Sequence, residues 1–371
     1  MVCSMRDPAN EVAEFERLQT PALLVDLDAV RHNVDHMIRL VRGDMRRWRP
    51  HTKTSKIGEV LDVLLERGVV RFKCATTREA SVLLERACAP IDLLIAISHH
   101  GANLARCAAL AHQHSRHRVS LLTEDPRHAK AAREAGLTLF VDVNPGMQRT
   151  GIPFADRERL QATVSAAGRS LVGVHFYEGH LRQQSHTERE ALARPLYERL
   201  VALLSGLVLE RPLAELEIDT SGTPAFPCAL DVEALRGRDH SISPGTVVYF
   251  DTTSRDFGLQ GFRQAVFVLS RVISHPDPDL VTCDAGSKSL DAAAGDPCAE
   301  IDGMPDLLAL HPSEEHLPLR VLRGRKPELG ALLRLVPRHV CPTVNLADQA
   351  VLLTSGKIRA IVPVGARGHE L

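Results

Sequence analysis

From Thr20 onward the chain alternates short apolar runs with longer stretches of helical period, and that rhythm limits the folds open to it more than any single residue does. The spacing predicts strands at 22–25, 45–48, 69–73, 93–97, 119–122, 137–143, 171–176 and 213–218. Amphipathic segments at 29–41, 57–66, 78–86, 102–111, 127–135, 157–167 and 186–208 lie between them. Eight strands separated by helices, recurring roughly every 25 residues, are what a closed parallel barrel requires, with right-handed crossovers placing the helices outside. An open doubly wound sheet is the alternative. It is disfavoured because no glycine-rich dinucleotide turn follows the first strand.

After about Pro244 the rhythm changes to short β-rich runs at 247–250, 265–272, 280–283, 317–321, 332–336, 350–353 and 358–362. Turn residues such as Pro244-Gly245 and Ser355-Gly356 separate them without a long helix. The expected chain is therefore α/β, a (β/α)8 TIM-type barrel over residues 20–243 followed by an antiparallel β-rich domain over 244–371. Residues 1–19 are expected to form an N-terminal arm. With 371 residues, 44% of them hydrophobic, the chain can bury a large core. A formal net charge of −1 argues against nucleic acid or a membrane surface as partner. No apolar run is long enough to cross a bilayer and no charged-then-apolar leader follows Met1, so a cytoplasmic setting is expected. The eight cysteines form no CxxC pair and read mostly as small buried apolar residues in a reducing compartment.

If the barrel reading holds, chemistry belongs at the C-terminal ends of the strands. Strand two leads to the basic octet Arg49-Pro50-His51-Thr52-Lys53-Thr54-Ser55-Lys56. A lysine placed there, next to groups that disfavour its charge, is a plausible Schiff-base nucleophile, because the amine must be neutral to attack a carbonyl. Lys53 is the candidate, and a solvated basic loop is the alternative. Strand six leads to a glycine-punctuated turn presenting Arg149, which could instead pair with Asp142. Strand seven leads to Tyr177-Glu178-Gly179-His180 and strand eight to Asp219-Thr220-Ser221-Gly222-Thr223. The last offers hydroxyls and accessible N–H groups, the makings of a phosphate cradle. A lysine, a phosphate cradle and an aromatic beside a histidine together suit a phosphorylated aldehyde, pyridoxal phosphate.

A second signal is Pro337-Arg338-His339-Val340-Cys341-Pro342-Thr343. On an extended strand His339 and Cys341 would share a face, so imidazole and thiolate could bind a borderline-soft cation such as zinc. Two ligands suit a catalytic ion with open positions; a buried cysteine beside a capped histidine is the alternative. His311 and His316 are further candidates for the same place, with Glu314 and Glu315 as hydrogen-bonding supports.

These stretches resemble the D-threonine aldolase and D-serine dehydratase family, pyridoxal-phosphate enzymes with an alanine-racemase-like barrel and a following β domain. The resemblance runs from Thr20-Pro21-Ala22 to Ala366-Arg367-Gly368 and is carried by the octet, by Gly146-Met147-Gln148-Arg149-Thr150-Gly151, by Tyr177-Glu178-Gly179-His180, by Ser313-Glu314-Glu315-His316 and by the His339 stretch. It implies that Lys53 carries the cofactor with His51 beside it, that Arg149 and Tyr177 contact its ring, and that Ser221, Gly222 and Thr223 hold its phosphate. It further implies an active-site role for His180, a divalent metal (zinc, manganese or magnesium) on His339 and Cys341, and a homodimer. The substrate class implied is a β-hydroxy-D-amino acid, cleaved to glycine and an aldehyde. The alternative is a dehydratase acting on D-serine or 3-hydroxy-D-aspartate. A cofactor carrier without turnover would have no need of the β domain. A racemase would need a second base, and of the three tyrosines only Tyr249 lies beyond the barrel. Ser55 and Ser221 depart from the family pattern, which commonly has histidine and glycine there.

Overall fold

The computed structural model describes residues 14–370. They form two compact units, one from residues 14–34, 54–60 and 246–368, the other from 35–53, 61–245 and 369–370. Most of the expected N-terminal arm, residues 1–13, lies outside the described part.

The first surprise is strand one. Ala22–Asp26 (β1) takes no part in the barrel; it pairs antiparallel with Val266–Asp277 (β10) and parallel with Gln349–Thr354 (β16). Leu23, Leu24 and Val25 are all buried, as a strand paired on both sides demands. Local periodicity sees a strand followed by a helix in such a segment, but not its partners far along the chain. The antiparallel sheet around β1 continues through Leu280–Cys283 (β11), Leu317–Val321 (β14), Leu332–Pro337 (β15) and Lys357–Pro363 (β17), with Ala299–Ile301 (β12) and Leu307–Ala309 (β13) at its margins. Its core includes Leu24, Phe267, Leu269, Val336, Val351 and Leu353. The expected strand at 247–250 is instead a 3-10 turn, Thr246–Val248.

The other unit is a parallel sheet in which Arg71–Cys74 (β2), Asp92–Ile95 (β3), Arg118–Thr123 (β4), Thr138–Asn144 (β5), Leu171–Phe176 (β7), Glu217–Thr220 (β8) and His240–Ile242 (β9) follow in order. Ile152–Pro153 (β6) is a short spur on β5. Met45–Arg47, expected to begin strand two, is a 3-10 turn capped by Asp44. From Trp48 the chain extends, and there it closes the ring: Trp48 bridges Ile242 on β9, and His51 bridges Lys73 on β2. The Arg49 N–H donates to Ile242 O at 2.8 Å and the Thr52 N–H to Lys73 O at 2.7 Å. The eighth position of the barrel is thus an irregular segment carrying the octet, and β9 supplies a strand the apolar pattern had not marked. Between strands, helices start where side chains satisfy their free N–H groups: Thr76 caps Thr77–Arg86, and Asp125 caps Pro126–Glu134.

Arg49 is fully buried inside the barrel, so the octet is not a solvated loop there. Its Nε donates to Glu217 Oε1 at 2.9 Å and its Nη2 to Asp92 Oδ2 at 2.8 Å, while Nη1 reaches Phe72 O at 2.9 Å. Burial opposes the guanidinium charge, yet Asp92 and Glu217 hold it firmly protonated. Removing one member of such a network strands its partners in a poor dielectric. Arg49→Met should therefore cost about 3–5 kcal/mol of stability, read from the urea midpoint. Pairing it with Glu217→Leu should recover part of that loss, and no recovery would mean the ions are not coupled.

Candidate active site

At the C-terminal mouth of the barrel the Tyr177 ring is held against two turns that have no side chain. A Cβ on Gly222 would stand 2.7 Å from Tyr177 Cε2, and one on Gly179 would run into the same ring. The Arg149 guanidinium carbon lies 4.9 Å from the ring centroid. Tyr177, Arg149 and the turn after β8, three of the sequence candidates, are thereby brought together. Ser221 enters that turn at φ +59°, a left-handed conformation unusual outside glycine. Its hydroxyl donates to the Glu178 carboxylate, and its N–H donates to the same group at 3.3 Å. Tyr197 Oη adds a further donation at 2.5 Å. Burial pushes the Glu178 pKa up, against the pull of Ser221 and Tyr197. Glu178 and Tyr197 were not singled out from the sequence, although Glu178 sits inside the quoted motif. They hold Ser221 in that left-handed conformation.

One layer deeper lies a cluster that sequence reasoning missed. Lys73 on β2 places Nζ 2.7 Å from His175 Nε2 on β7 and 2.9 Å from Asp219 Oδ2 on β8. His175 Nδ1 is 2.7 Å from Asp142 Oδ1 on β5, so Asp142 serves His175 and not Arg149. All four are buried. Burial works against the two carboxylates, but Lys73 and His175 keep both below their usual range. Burial pushes Lys73 down in spite of Asp219. The available signal was an ionisable residue shortly before the end of four apolar strands, in Arg71-Phe72-Lys73-Cys74, Val141-Asp142-Val143, Val174-His175-Phe176 and Ile218-Asp219-Thr220.

Lys53 follows the closing segment and is exposed, near enough to Lys73 for its charge to disfavour that of Lys73. Its N–H donates to His51 Nδ1 at 3.3 Å. His180 is exposed, with Nε2 beside the Gly146 turn that leads to Arg149. Burial lowers its pKa, so the imidazole is neutral at ordinary pH. A cavity of about 310 Å³ lies elsewhere, lined by Arg42, Arg47, Arg238 and His240 at the N-terminal end of β9. That end of a barrel serves stability.

In the antiparallel unit His339 and Cys341 do not alternate along a strand. His339 precedes helix Val340–Leu346 and Cys341 lies in its first turn, a consequence of β15 ending at Pro337. The two side chains still interact. Burial opposes the imidazolium, while Cys341, Asp251 and Asp291 raise the His339 pKa. Cys341 Sγ is 3.1 Å from Thr54 Oγ1 and 3.5 Å from Thr246 Oγ1. Among the described residues no three His, Cys, Asp or Glu side chains gather as a metal cluster. His311 pairs with Asp296 at 3.0 Å, and Glu314 and Glu315 pair with Lys288, so these three expected recruits are engaged elsewhere.

The grip on Tyr177 has a direct test. Gly222→Ala should cost about 1–3 kcal/mol through overpacking, measured by denaturant melts. In a Tyr177→Ala background the same change should be nearly neutral; equal costs in both would remove the ring as the cause.

Residues 25–252 match the model of the alanine racemase N-terminal domain, and residues 265–353 match a putative serine dehydratase domain. The chain is 29% identical to a D-threonine aldolase of Arthrobacter sp., covering 98% of this chain and 96% of that one. It is 27% identical to a D-threo-3-hydroxyaspartate dehydratase of Delftia sp., covering 88% of this chain and 92% of that one. Among solved structures, the D-threonine aldolase of Filomicrobium marinum superposes with a TM-score of 0.80 at 27% identity, covering 95% of this chain and 96% of that one. With more than half its length under the alanine racemase N-terminal model and relatives of this kind along nearly all of it, the chain belongs to the alanine-racemase-like family, in the group of the D-threonine aldolases and D-serine dehydratases.

Proposed function

We propose that the chain is a pyridoxal phosphate- and divalent-metal-dependent lyase acting on β-hydroxy-D-amino acids, a D-threonine aldolase in type. The observation that carries this reading is the Tyr177 ring pinned between Gly179 and Gly222 beneath Arg149. A flat cationic and aromatic surface beside a turn without a Cβ suits an aromatic phosphate ester, so the residues present fit the cofactor. Lys53 and His51 would hold its aldehyde end, Arg149 and Tyr177 its ring, and Ser221, Gly222 and Thr223 its phosphate. Pyridoxal phosphate supplies there a sink for the electron pair left on Cα when a bond breaks.

The chain's own groups do the rest. Lys53 acts as a nucleophile only when neutral, and its exposure at the mouth leaves its amine open to an incoming aldehyde. His180, neutral because burial disfavours its charge, accepts the β-hydroxyl proton at a ring nitrogen. In the antiparallel unit the His339 imidazole and Cys341 thiolate are a borderline-soft donor pair and would hold the cation, for which zinc is the better match. Two donors leave positions free, and a divalent cation there supplies Lewis acidity to a substrate oxygen. Racemisation is disfavoured, because the Tyr249 hydroxyl is buried and donates to Ser55 O at 2.7 Å.

The relatives include both an aldolase and a dehydratase, so the products decide. Glycine and acetaldehyde from D-threonine are expected. A keto acid and ammonia from D-serine or 3-hydroxy-D-aspartate would replace the aldolase by a dehydratase, and no turnover of any of them would leave a cofactor carrier. Added pyridoxal phosphate should give a visible absorbance band that Lys53→Ala abolishes; a band that survives refutes Lys53. A chelator should stop turnover and spare the band, whereas unchanged turnover would dismiss His339 and Cys341.

A further inference from the structure

The buried layer formed by Lys73, His175, Asp142 and Asp219 has no part in the reading above, and its hydrogen bonds fix its charge. An N–H···N contact needs one donor and one acceptor, so the 2.7 Å approach of Lys73 Nζ to His175 Nε2 forbids both bases from being charged at once. If Lys73 is an ammonium, His175 is neutral and donates from Nδ1 to Asp142. If His175 is an imidazolium, Lys73 is a neutral amine. Either way at most one positive charge faces two carboxylates. Asp219 gains a hydroxyl donor from Ser243 at 2.7 Å, with the Ser241 hydroxyl shared between it and Glu217, and Asp142 gains one from Thr150, but hydroxyls bring no charge.

The ion network below it differs. There Asp92 and Glu217 meet Arg49, Arg71 and Arg118, and Asp239 meets Arg71, so each carboxylate has a guanidinium. A buried layer left negative is costly unless something positive stands near it. His51 lies in register with Lys73 on the closing segment, and Lys53 comes two residues later, toward the mouth. We propose that this layer is the counter-charge for a cation at Lys53 Nζ, whether that nitrogen is the free ammonium or is joined to the cofactor. The remaining charged or titratable groups around it are accounted for. Arg49 also draws on Asp219 from the tier below but is bonded to and balanced by Asp92 and Glu217, His240 Nε2 is held by Thr220 Oγ1 at 2.8 Å, and Arg149 by the Tyr177 ring. His51 takes the Lys53 N–H. The layer makes Asp142 and Asp219 positioning residues, acting through the charge state of Lys53, although Asp142 also lines the small pocket beside Arg149 and Tyr177.

The inference builds on Lys53 as the functional amine, but its test does not require the cofactor. Competitive acylation of the cofactor-free full chain across pH, read by mass spectrometry of the Lys53 peptide, gives the titration midpoint of that amine. Asp219→Asn and Asp142→Asn should each lower it by about one pH unit, roughly tenfold in labelling rate at fixed pH. Lys73→Met should move it far less, because His175 then keeps the single proton. With pyridoxal phosphate added, the pH midpoint of the visible band should fall in the same carboxamide variants. Unchanged midpoints in both folded variants would overturn the proposal. Should neither variant fold, nitrogen NMR of the wild-type chain with labelled histidine and lysine decides it: one charged base supports the layer as described, and Lys73 ammonium seen together with His175 imidazolium overturns it. If the band survives Lys53→Ala, the cofactor reading fails while the acylation result still stands on its own.

Discussion

The barrel depends on charges that have been taken out of water. Arg49 lies at its centre, and its guanidinium is bound to Glu217 and Asp92 on two different strands. An interior of Leu and Val would be cheaper to bury. What the ions provide is register: Arg49 belongs to the segment that closes the ring, and that segment has few ladder bonds of its own. The side chain holds in place what the backbone alone holds loosely, and the residues that follow, His51 to Lys53, emerge at the mouth because Arg49 is fixed beneath them.

Above that network the interior becomes functional ground. The Lys73 layer, the Tyr177 ring and the Ser221 turn stack toward the C-terminal end of the strands, where parallel barrels carry their chemistry. Each tier constrains the next. Gly179 and Gly222 keep the ring in one place, and Glu178 holds Ser221 in a conformation that glycine adopts without help. The left-handed turn at Ser221 is therefore held by a carboxyl next to the aromatic residue it serves.

Much of this was legible in the residues. The barrel and the following antiparallel sheet follow from the apolar rhythm, since buried strands such as Asp92–Ile95 lie in unbroken apolar runs, here residues 93–97. The cluster of Arg149, Tyr177 and Ser221 to Thr223 was reachable because barrel topology fixes where strand ends converge. What was not legible depended on contacts distant in sequence. β1 looks like a barrel strand until its partners on β10 and β16 are known. The segment from Trp48 carries too many polar residues to register as a strand, although it completes the ring. An extended strand would put His339 and Cys341 on one face; the helix that begins at Val340 changes their geometry but keeps them in touch. Lys73 and His175 read as isolated polar residues, because only the closed ring shows that four such positions share a layer.

The place of β1 also bears on how the molecule is made. Leu23 pairs with Val268 and with Ala350, so the strand synthesised early has its partners in the last third of the chain. Until they leave the ribosome, an apolar strand with both edges open waits for its neighbours, the situation in which nascent chains are most exposed to self-association. Contacts so far apart in sequence also form slowly. The antiparallel sheet is thus sealed by the chain's end as well as its beginning, and a product halted before Gln349 would carry that strand without its parallel mate.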